Sequence, residues 1–294
     1  MPGDPPRCSP ARRVPAPGAG RAHGWHRPRA QGGPSRRAHA HSMTVTRGTV
    51  SAMTDLATLH HPGRLIGPLW AVATGTGTPL VLLHGNSETH HLFDRLVPLL
   101  APHHTLVGLD SRAHGHSPHG DGLLRIASMA DDVAEVLDRL GLHGVPVLGF
   151  SDGGNMALEL ALRHPGAVSS LVVVGANLFP AGLKPVSKAS TDAAHAVSAF
   201  GARFLPALRP LAERLGLMVY DPDIDPLALH TVEVPTLVVA GERDVIRPEH
   251  TALIGAALPH ARVEIVPGVG HMVPRDAPEV LAVLVRQHLS GVAG

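Results

Sequence analysis

The chain has little cysteine, few aromatic residues and no long hydrophobic run. Its single cysteine, Cys8, excludes an internal disulfide framework, a cysteine-rich metal site and a cysteine nucleophile in the main body of the 294 residues. Aromatic residues are only 3% of the chain, so the core must consist mostly of Ala, Val and Leu. No stretch reaches the roughly 18 consecutive apolar residues that a membrane-spanning helix requires.

Several motifs for cofactors and metals are also absent. The chain contains no H-E-x-x-H, no P-loop Gly-Lys-Ser/Thr and no dinucleotide-binding G-x-G-x-x-G. The histidine pairs at 60–61, 90–91 and 103–104 have the wrong spacing to lie on one face of a helix. We therefore predict neither a cofactor nor a metal.

The net charge of +1 conceals two different regions. Residues 1–50 carry nine arginines against one acid, whereas the rest of the chain has a net charge of −7. Residues 1–52 are rich in Pro, Gly and Arg without hydrophobic periodicity, which predicts a disordered basic segment before a folded domain at 53–294. The mildly acidic domain favours no nucleic-acid or membrane partner, and the lack of an apolar export segment predicts a cytoplasmic protein. The oligomeric state stays open.

Short apolar runs alternate with helical stretches along the folded part. The runs have the length of strands buried on both faces, and the alternation predicts an α/β fold with a doubly wound, mostly parallel sheet. We expect strands at 79–84, 105–110, 145–150, 169–174, 235–240 and 262–266, and helices at 129–140, 155–163, 248–257 and 278–289. Residues 180–229 break the alternation, because they contain helical stretches at 190–205 and 208–218 and no strand-like run.

A serine-containing pentapeptide follows one of these predicted strands. Gly149-Phe150-Ser151-Asp152-Gly153 has the pattern G-x-S-x-G and precedes a predicted helix. On such a strand-to-helix turn the serine hydroxyl points out at the edge of the sheet, and only glycine fits beside it. We interpret Ser151 as a nucleophile rather than as an incidental serine in a glycine-rich turn.

A serine nucleophile needs a base and a group that orients the base. The loop after the last predicted strand contains His271, and Asp244 follows the strand at 235–240. The order Ser151, Asp244, His271 along the chain is the order of these residue types in α/β hydrolases. All three residues follow the carboxyl ends of predicted strands. Glu242 is the other candidate for the carboxylate that orients the base. We expect it instead to brace its loop.

Two backbone N–H groups are expected to bind the oxyanion that forms in acyl transfer. One belongs to Asp152, directly after the nucleophile. The other belongs to Asn86, in the turn after the strand at 79–84, where Gly85 lets the backbone approach a substrate. We expect the neighbouring His84 to brace this loop rather than to act as a second base.

With these motifs the chain resembles the α/β-hydrolase superfamily over about residues 65–290. The segments that carry the resemblance are His84-Gly85, Asp110 to Ser117, Gly149 to Gly154, Gly241 to Asp244 and Gly270-His271. The Ser-Asp-Gly-Gly sequence is similar to that of the biphenyl-hydrolase-like and valacyclovir-hydrolase enzymes. Ala113 departs from the family pattern, since related chains usually have glycine there.

The resemblance implies that residues 180–229 form a small helical cap over the nucleophile. The implied pocket lining is Phe179, Phe200, Phe204, Leu217 and Met218, although these residues could equally pack the cap onto the body. The resemblance also implies a role for Asp152 in binding the α-ammonium group of a substrate. The alternative is that Asp152 only stabilises the start of its helix.

These observations predict a serine hydrolase that cleaves a small carboxylic ester through an acyl-enzyme. A lactonase, a thioesterase, a C–C hydrolase and a cofactor-free perhydrolase or haloperoxidase share the same three residues and stay open. A binding protein that has lost turnover is the alternative from another class. Ser151 at the turn argues against the dehalogenases and epoxide hydrolases of this fold, which use an aspartate nucleophile.

Overall fold

The computed structural model describes Leu59 and residues 62–292. The basic segment predicted at 1–52 therefore lies outside the described residues. Within 62–292 a single mixed sheet carries helices on both faces. In this range no helix combines the length and the apolar character needed to cross a membrane.

The sheet has eight strands in the order β1-β2-β4-β3-β5-β6-β7-β8. The first two strands pair antiparallel, β2 pairs antiparallel with β4, and all later neighbours are parallel. The strands are β1 Arg64–Ile66, β2 Leu69–Gly75, β3 Thr78–Leu83, β4 His104–Asp110, β5 Val145–Phe150, β6 Val168–Val174, β7 Thr236–Gly241 and β8 Ala261–Val266. Because β3 to β8 run parallel, their carboxyl ends meet at one edge of the sheet.

The predicted two-sided burial holds for the central strands and is wrong for the last one. All seven residues of β4 are buried, because the strand lies inside the sheet and both of its faces are covered: Val107 and Leu109 belong to one apolar cluster and Leu106 to the other. In β8, by contrast, Val263 and Ile265 are 39% and 48% exposed. The reason is position, because β8 is the edge strand and has only β7 beside it.

The described region contains eight α-helices and four short 3₁₀ segments. The α-helices are α1 Val97–Leu100, α2 Ile126–Arg139, α3 Asp152–Arg163, α4 Pro185–Gly201, α5 Arg209–Tyr220, α6 Pro248–Ala257, α7 Val273–Asp276 and α8 Pro278–Val292. One apolar cluster joins α2 and α3 to the sheet, and a second joins α1 and α8 to its other face. This is the predicted doubly wound arrangement.

The segment between β6 and β7 is helical, as its sequence indicates. It contains α4, α5 and 3₁₀ segments at Pro180–Gly182, Pro206–Leu208 and Ala228–Thr231. The two helices pack against each other, and we call residues 180–231 the cap segment. Polar contacts join α5 to the body. The Asn86 amide donates to the Arg214 carbonyl at 2.9 Å, His119 pairs with Glu213 at 2.7 Å, and Arg125 pairs with Asp221 at 3.2 Å.

Candidate active site

Ser151 lies on a strained turn between β5 and α3. Its backbone angles are φ 52° and ψ −119°, a region that a non-glycine residue rarely occupies and that costs about 1–3 kcal/mol. The Ser151 N–H donates to the Val174 carbonyl at 2.7 Å, which holds the turn against β6. The hydroxyl is thereby presented at the carboxyl edge of the sheet.

The glycines on either side of Ser151 are required by space. A Cβ at Gly149 would collide with the carbonyl of Gly153, and a Cβ at Gly153 would collide with the carbonyl of Leu83. The turn therefore packs backbone against backbone, and the start of α3 lies directly on the end of β3. This close approach confirms why the pentapeptide has glycine at both positions.

Three side chains that are distant in sequence form one hydrogen-bonded row at this edge. The Ser151 hydroxyl lies 3.1 Å from Nε2 of His271, and Nδ1 of His271 lies 2.7 Å from Oδ1 of Asp244. Asp244 follows β7, and His271 follows β8. The arrangement matches an imidazole whose Nδ1–H donates to Asp244 and whose Nε2 accepts the serine proton.

Asp244 is suited to stay ionised beside His271. Burial alone would raise the pKa of this 3% exposed carboxyl. The hydrogen bond and the positive charge available on His271, together with the hydrogen bond from the Ile246 N–H at 2.9 Å, oppose this effect and leave the pKa of Asp244 below its ordinary value. An ionised Asp244 stabilises a protonated imidazole.

Gly175 is a functional position that the sequence analysis missed. It follows β6 with φ +62°, and a Cβ there would lie 2.9 Å from Cε1 of His271 and 3.4 Å from Oδ2 of Asp244. Any side chain would push the imidazole away from Ser151. The signal was a glycine at the end of a strand beside the serine turn.

The two predicted oxyanion donors lie in the expected turns. In the described part of the chain, no hydrogen bond joins the backbone N–H of Asn86 or of Asp152 to a protein acceptor. Gly85 packs tightly here, since a Cβ would lie 3.0 Å from the ring of Phe150. Both N–H groups are therefore available to a substrate oxygen.

His84 braces this loop, as the sequence analysis expected. Its Nδ1–H donates to the Gly85 carbonyl at 2.7 Å, and its Nε2 accepts from the Ser111 N–H at 2.9 Å. Burial lowers the pKa of His84 to about 4, so the ring is neutral at physiological pH. Glu242 has the predicted bracing role as well, because its carboxylate accepts from the Gly268 N–H at 2.7 Å in the loop that leads to His271.

Asp152 is the first residue of α3 and is almost fully buried. Its two carboxylate oxygens accept from the side-chain amides of Asn86 at 3.0 Å and Asn155 at 3.3 Å. Burial raises the pKa of this carboxyl, and the Asn86 hydrogen bond opposes that rise. A second carboxyl that sequence reasoning missed, Glu88, accepts from the Gly85 N–H at 3.3 Å, and burial raises its pKa too.

The predicted pocket-lining residues do not form one group. Phe200 and Phe204 are 60% and 76% exposed and pack edge-to-face against each other, so they depart from the prediction that they line a pocket. The reason is that Phe200 lies on the exposed face of α4 and Phe204 lies in the exposed turn that follows the helix. Phe179 is half-buried and lies edge-on against His250, with ring centroids 4.6 Å apart, which is a packing contact.

Leu217 and Met218 remain nearer to the body. Leu217 is 2% exposed and lines a cavity of about 470 Å³ between α5 and the segment that precedes α2, whereas Met218 is half-buried. Among the described residues, the lining of this cavity includes neither Ser151 nor His271. Its walls are apolar around Leu124 and Leu217 and polar around Arg125 and Glu213.

The sheet order and the serine turn define the α/β-hydrolase fold. A family model described as the alpha/beta hydrolase fold matches residues 78–204, which include β3 to β6 and Ser151. An esterase from Thermogutta terrifontis superimposes with a TM-score of 0.62 at 23% identity, over 76% of this chain and 93% of the esterase. At that identity the superposition shows a common fold.

The chain also has sequence relatives with different names. The mouse sn-1-specific diacylglycerol lipase ABHD11 is 28% identical over 241 residues, which are 68% of this chain and 77% of the lipase. The magnesium-chelatase 30 kDa subunit of Rhodobacter capsulatus is 26% identical over 267 residues, which are 78% of this chain and 94% of the subunit. Together with the sheet order, the matched segment shows that the chain has the α/β-hydrolase fold.

Proposed function

We propose that the protein hydrolyses a small carboxylic ester through an acyl-enzyme on Ser151. One observation carries the proposal: the row from Asp244 through His271 to the Ser151 hydroxyl, with distances of 2.7 and 3.1 Å, beside two unengaged backbone N–H groups. A nucleophile, its base, the group that orients the base and an oxyanion site are the parts that acyl transfer needs.

In the acylation step the Ser151 oxygen attacks the ester carbonyl carbon while its proton passes to Nε2 of His271. The carbonyl oxygen becomes negatively charged and accepts hydrogen bonds from the N–H groups of Asn86 and Asp152. His271 then gives the proton to the leaving alkoxide, and the C–O bond to the alcohol breaks. Asp244 keeps the imidazole in the correct tautomer and stabilises its cation.

In the deacylation step water takes the place of the alcohol. His271 removes a proton from the water, which attacks the acyl carbon, and the same two N–H groups bind the second oxyanion. The proton returns to Ser151 as the acid leaves. Oxyanion donors of this kind each contribute about 10²–10³-fold to the rate, and acid–base catalysis about 10²–10⁴-fold.

Lactones, thioesters and activated C–C bonds present the same electrophilic carbonyl, and a perhydrolase would use peroxide in place of water. The relatives carry names as different as a lipase and a magnesium-chelatase subunit. Hydrolysis of a lactone or a thioester would use the same groups. We favour a carboxylic ester because the mouse relative that matches 68% of this chain is named a diacylglycerol lipase. A panel of p-nitrophenyl esters, thioesters and lactones of graded acyl length separates these reactions.

The central experiment replaces the nucleophile. Ser151→Ala should lower the turnover of p-nitrophenyl acetate by at least about 10⁴-fold and abolish labelling by a fluorophosphonate. The control Ser190→Ala removes an exposed hydroxyl in α4 that bonds only to the Ser187 carbonyl, and it should keep parental activity. Equal turnover in the parent and in Ser151→Ala would refute the assignment, and an intact parent that neither labels nor turns over any ester would favour a binding protein.

For the substrate we carry forward the amino-ester hypothesis for Asp152. Its support is a buried carboxylate next to the nucleophile, whose hydrogen-bonding partners are neutral amides rather than a cation. An α-ammonium group would supply the missing positive charge. An amino-acid ester should then have a higher kcat/KM than its des-amino analogue, and the advantage should disappear in Asp152→Asn; equal values for the two esters in the parent would leave Asp152 only its place at the start of α3.

A further inference from the structure

The second half of α4 has an outer face without charge. The exposed residues of this half are Ala193, Ala194, Ala196, Val197 and Phe200, and the only buried residue of the whole helix is Ser198. A surface helix normally places polar residues outward and apolar residues toward the core. In α4 this pattern is reversed.

The apolar face continues beyond the end of the helix. Residues 203–207 are five consecutive exposed residues, among which Phe204 is 76% and Leu205 is 56% exposed. We call Val197, Phe200, Phe204 and Leu205 the cap-tip patch. Exposed apolar patches of this kind usually mark a site that interacts with another protein or with a membrane.

Two arginines lie beside the cap-tip patch. Residues 193–212 include the exposed Arg203 and Arg209 and no acid, and Asp192 and Glu213 bound this stretch. The Arg203 guanidinium lies over the Phe200 ring, 5.9 Å from its centroid, so that the cation and the aromatic ring form a cation–π contact. Aromatic and aliphatic side chains beside arginine are the combination that binds the boundary of an anionic lipid layer.

Two occupants from this chain fit the patch less well. In a two-fold dimer the same patch would meet itself, which would bring Arg203 and Arg209 against their copies with no acid in 193–212 to pair them. The N-terminal segment at 1–50 carries a net charge of +8 and would add like charge to a basic surface. An anionic surface complements both the arginines and the apolar side chains.

We propose that the cap-tip patch docks the protein peripherally on anionic lipid surfaces, with Phe200 and Phe204 entering the acyl-chain boundary and Arg203 and Arg209 contacting the headgroups. The proposal departs from the sequence-based expectation of no membrane partner, because only the structure shows that both phenylalanines point outward. It is independent of ester hydrolysis, since Ser151 takes no part in the docking.

The experiment measures binding of the full chain to vesicles of phosphatidylcholine alone and of phosphatidylcholine mixed with phosphatidylglycerol. The parent should bind the mixed vesicles, and Phe200→Ser/Phe204→Ser should weaken that binding at least about 10-fold. Arg203→Glu/Arg209→Glu should weaken it further as well as reducing its dependence on salt. Leu65→Ser, which changes an apolar side chain that is 50% exposed on β1, and Ser151→Ala should both bind like the parent.

The basic N-terminal segment could bind anionic vesicles by charge alone, so a second variant reports on the patch itself. Tryptophan emission from Phe204→Trp should shift to the blue on mixed vesicles and be quenched by brominated acyl chains, relative to the parent. Equal vesicle binding by the parent and the double phenylalanine variant, with unchanged emission from Phe204→Trp, would overturn the proposal. Lipid-free self-association of the parent that the same substitutions abolish would also overturn it and make the patch a self-interface.

Discussion

Among residues 62–292, three non-glycine residues have a left-handed backbone: Ser87, Ala113 and Ser151. At Ser151 the strain has an evident use, because it aims the hydroxyl at His271. Ala113, where φ is 61°, stands where chains of the family that this sequence resembles usually have glycine. The structure supplies the physical meaning of that departure, since a Cβ in this region is sterically unfavourable.

Ala113→Gly should therefore raise the free energy of unfolding by up to about 1 kcal/mol. A residue with a side chain loses roughly 1–2 kcal/mol in the left-handed conformation, and glycine avoids this cost. Glycine also gives the unfolded chain more conformational freedom, which cancels about 0.4–1 kcal/mol of the stabilisation. Urea denaturation measures the difference. The control Ala193→Gly, in the exposed interior of α4, should lower stability by about 1 kcal/mol, and a similar loss from Ala113→Gly would contradict the strain argument.

At the scale of helices and strands, the Asn86 side chain links the carboxyl edge of the sheet to the cap segment. The Asn86 amide donates both to Asp152 at the start of α3 and to the Arg214 carbonyl in the middle of α5. The position of α5 over the candidate site thus depends on a residue whose backbone N–H is itself a proposed oxyanion donor. The side chain and the backbone of Asn86 can be tested separately.

Asn86→Ala keeps the backbone N–H and removes both amide hydrogen bonds. We expect faster amide exchange in α5 and a fall in kcat/KM of about 10-fold, since each lost bond weakens the attachment by about 0.5–1.5 kcal/mol. Hydrogen-exchange mass spectrometry and ester kinetics measure the two effects. Lys188→Ala breaks an exposed ion pair with Asp192 inside the cap segment and should change neither; unchanged exchange in α5 of Asn86→Ala would show that Asn86 does not hold the helix.

At the scale of the whole molecule, buried neutral histidines lower the free energy of unfolding in acid. Burial lowers the pKa of His84 and of His250 to about 4. Each ring accepts a backbone hydrogen bond, His84 from Ser111 and His250 from Leu178 at 2.8 Å, and protonation would break that bond. Because the unfolded chain binds these protons at the ordinary value near 6.5, acid favours unfolding.

The free energy of unfolding should accordingly fall as the pH is lowered from about 6.5 toward 4, by up to about 3 kcal/mol for His84. Chemical denaturation at a series of pH values measures the slope. His84→Gln should flatten it, whereas His143→Gln, at an exposed position, should leave it unchanged. Burial raises the pKa of Glu88 and of Asp152, and protonation of these carboxyls favours the folded state at lower pH, so the slopes are compared between variants. Parallel slopes for His84→Gln and the parent would refute the contribution of His84 to acid unfolding.

The helices and strands were largely predictable because their signals are local. The apolar run at 145–150 is β5, and the helix predicted at 248–257 is α6. The serine between two glycines also predicted the turn, because the backbone is too crowded for a side chain at Gly149 and Gly153. The exposure of β8 and of Phe200 was not predictable in this way, because an apolar residue at a sheet edge or on an outward helix face has the same letter as one in the core.

The amino-acid sequence by itself determined the alternation of strands and helices, the strained serine turn and the order in which Ser151, Asp244 and His271 occur, because each depends on residues within a few positions. Only the tertiary structure decided that these three side chains lie within hydrogen-bonding distance, that Gly175 leaves room for the imidazole and that Phe204 faces outward. Distances across 120 residues and the direction of a helix face follow from packing of the sheet and the cap segment, and no local pattern encodes them.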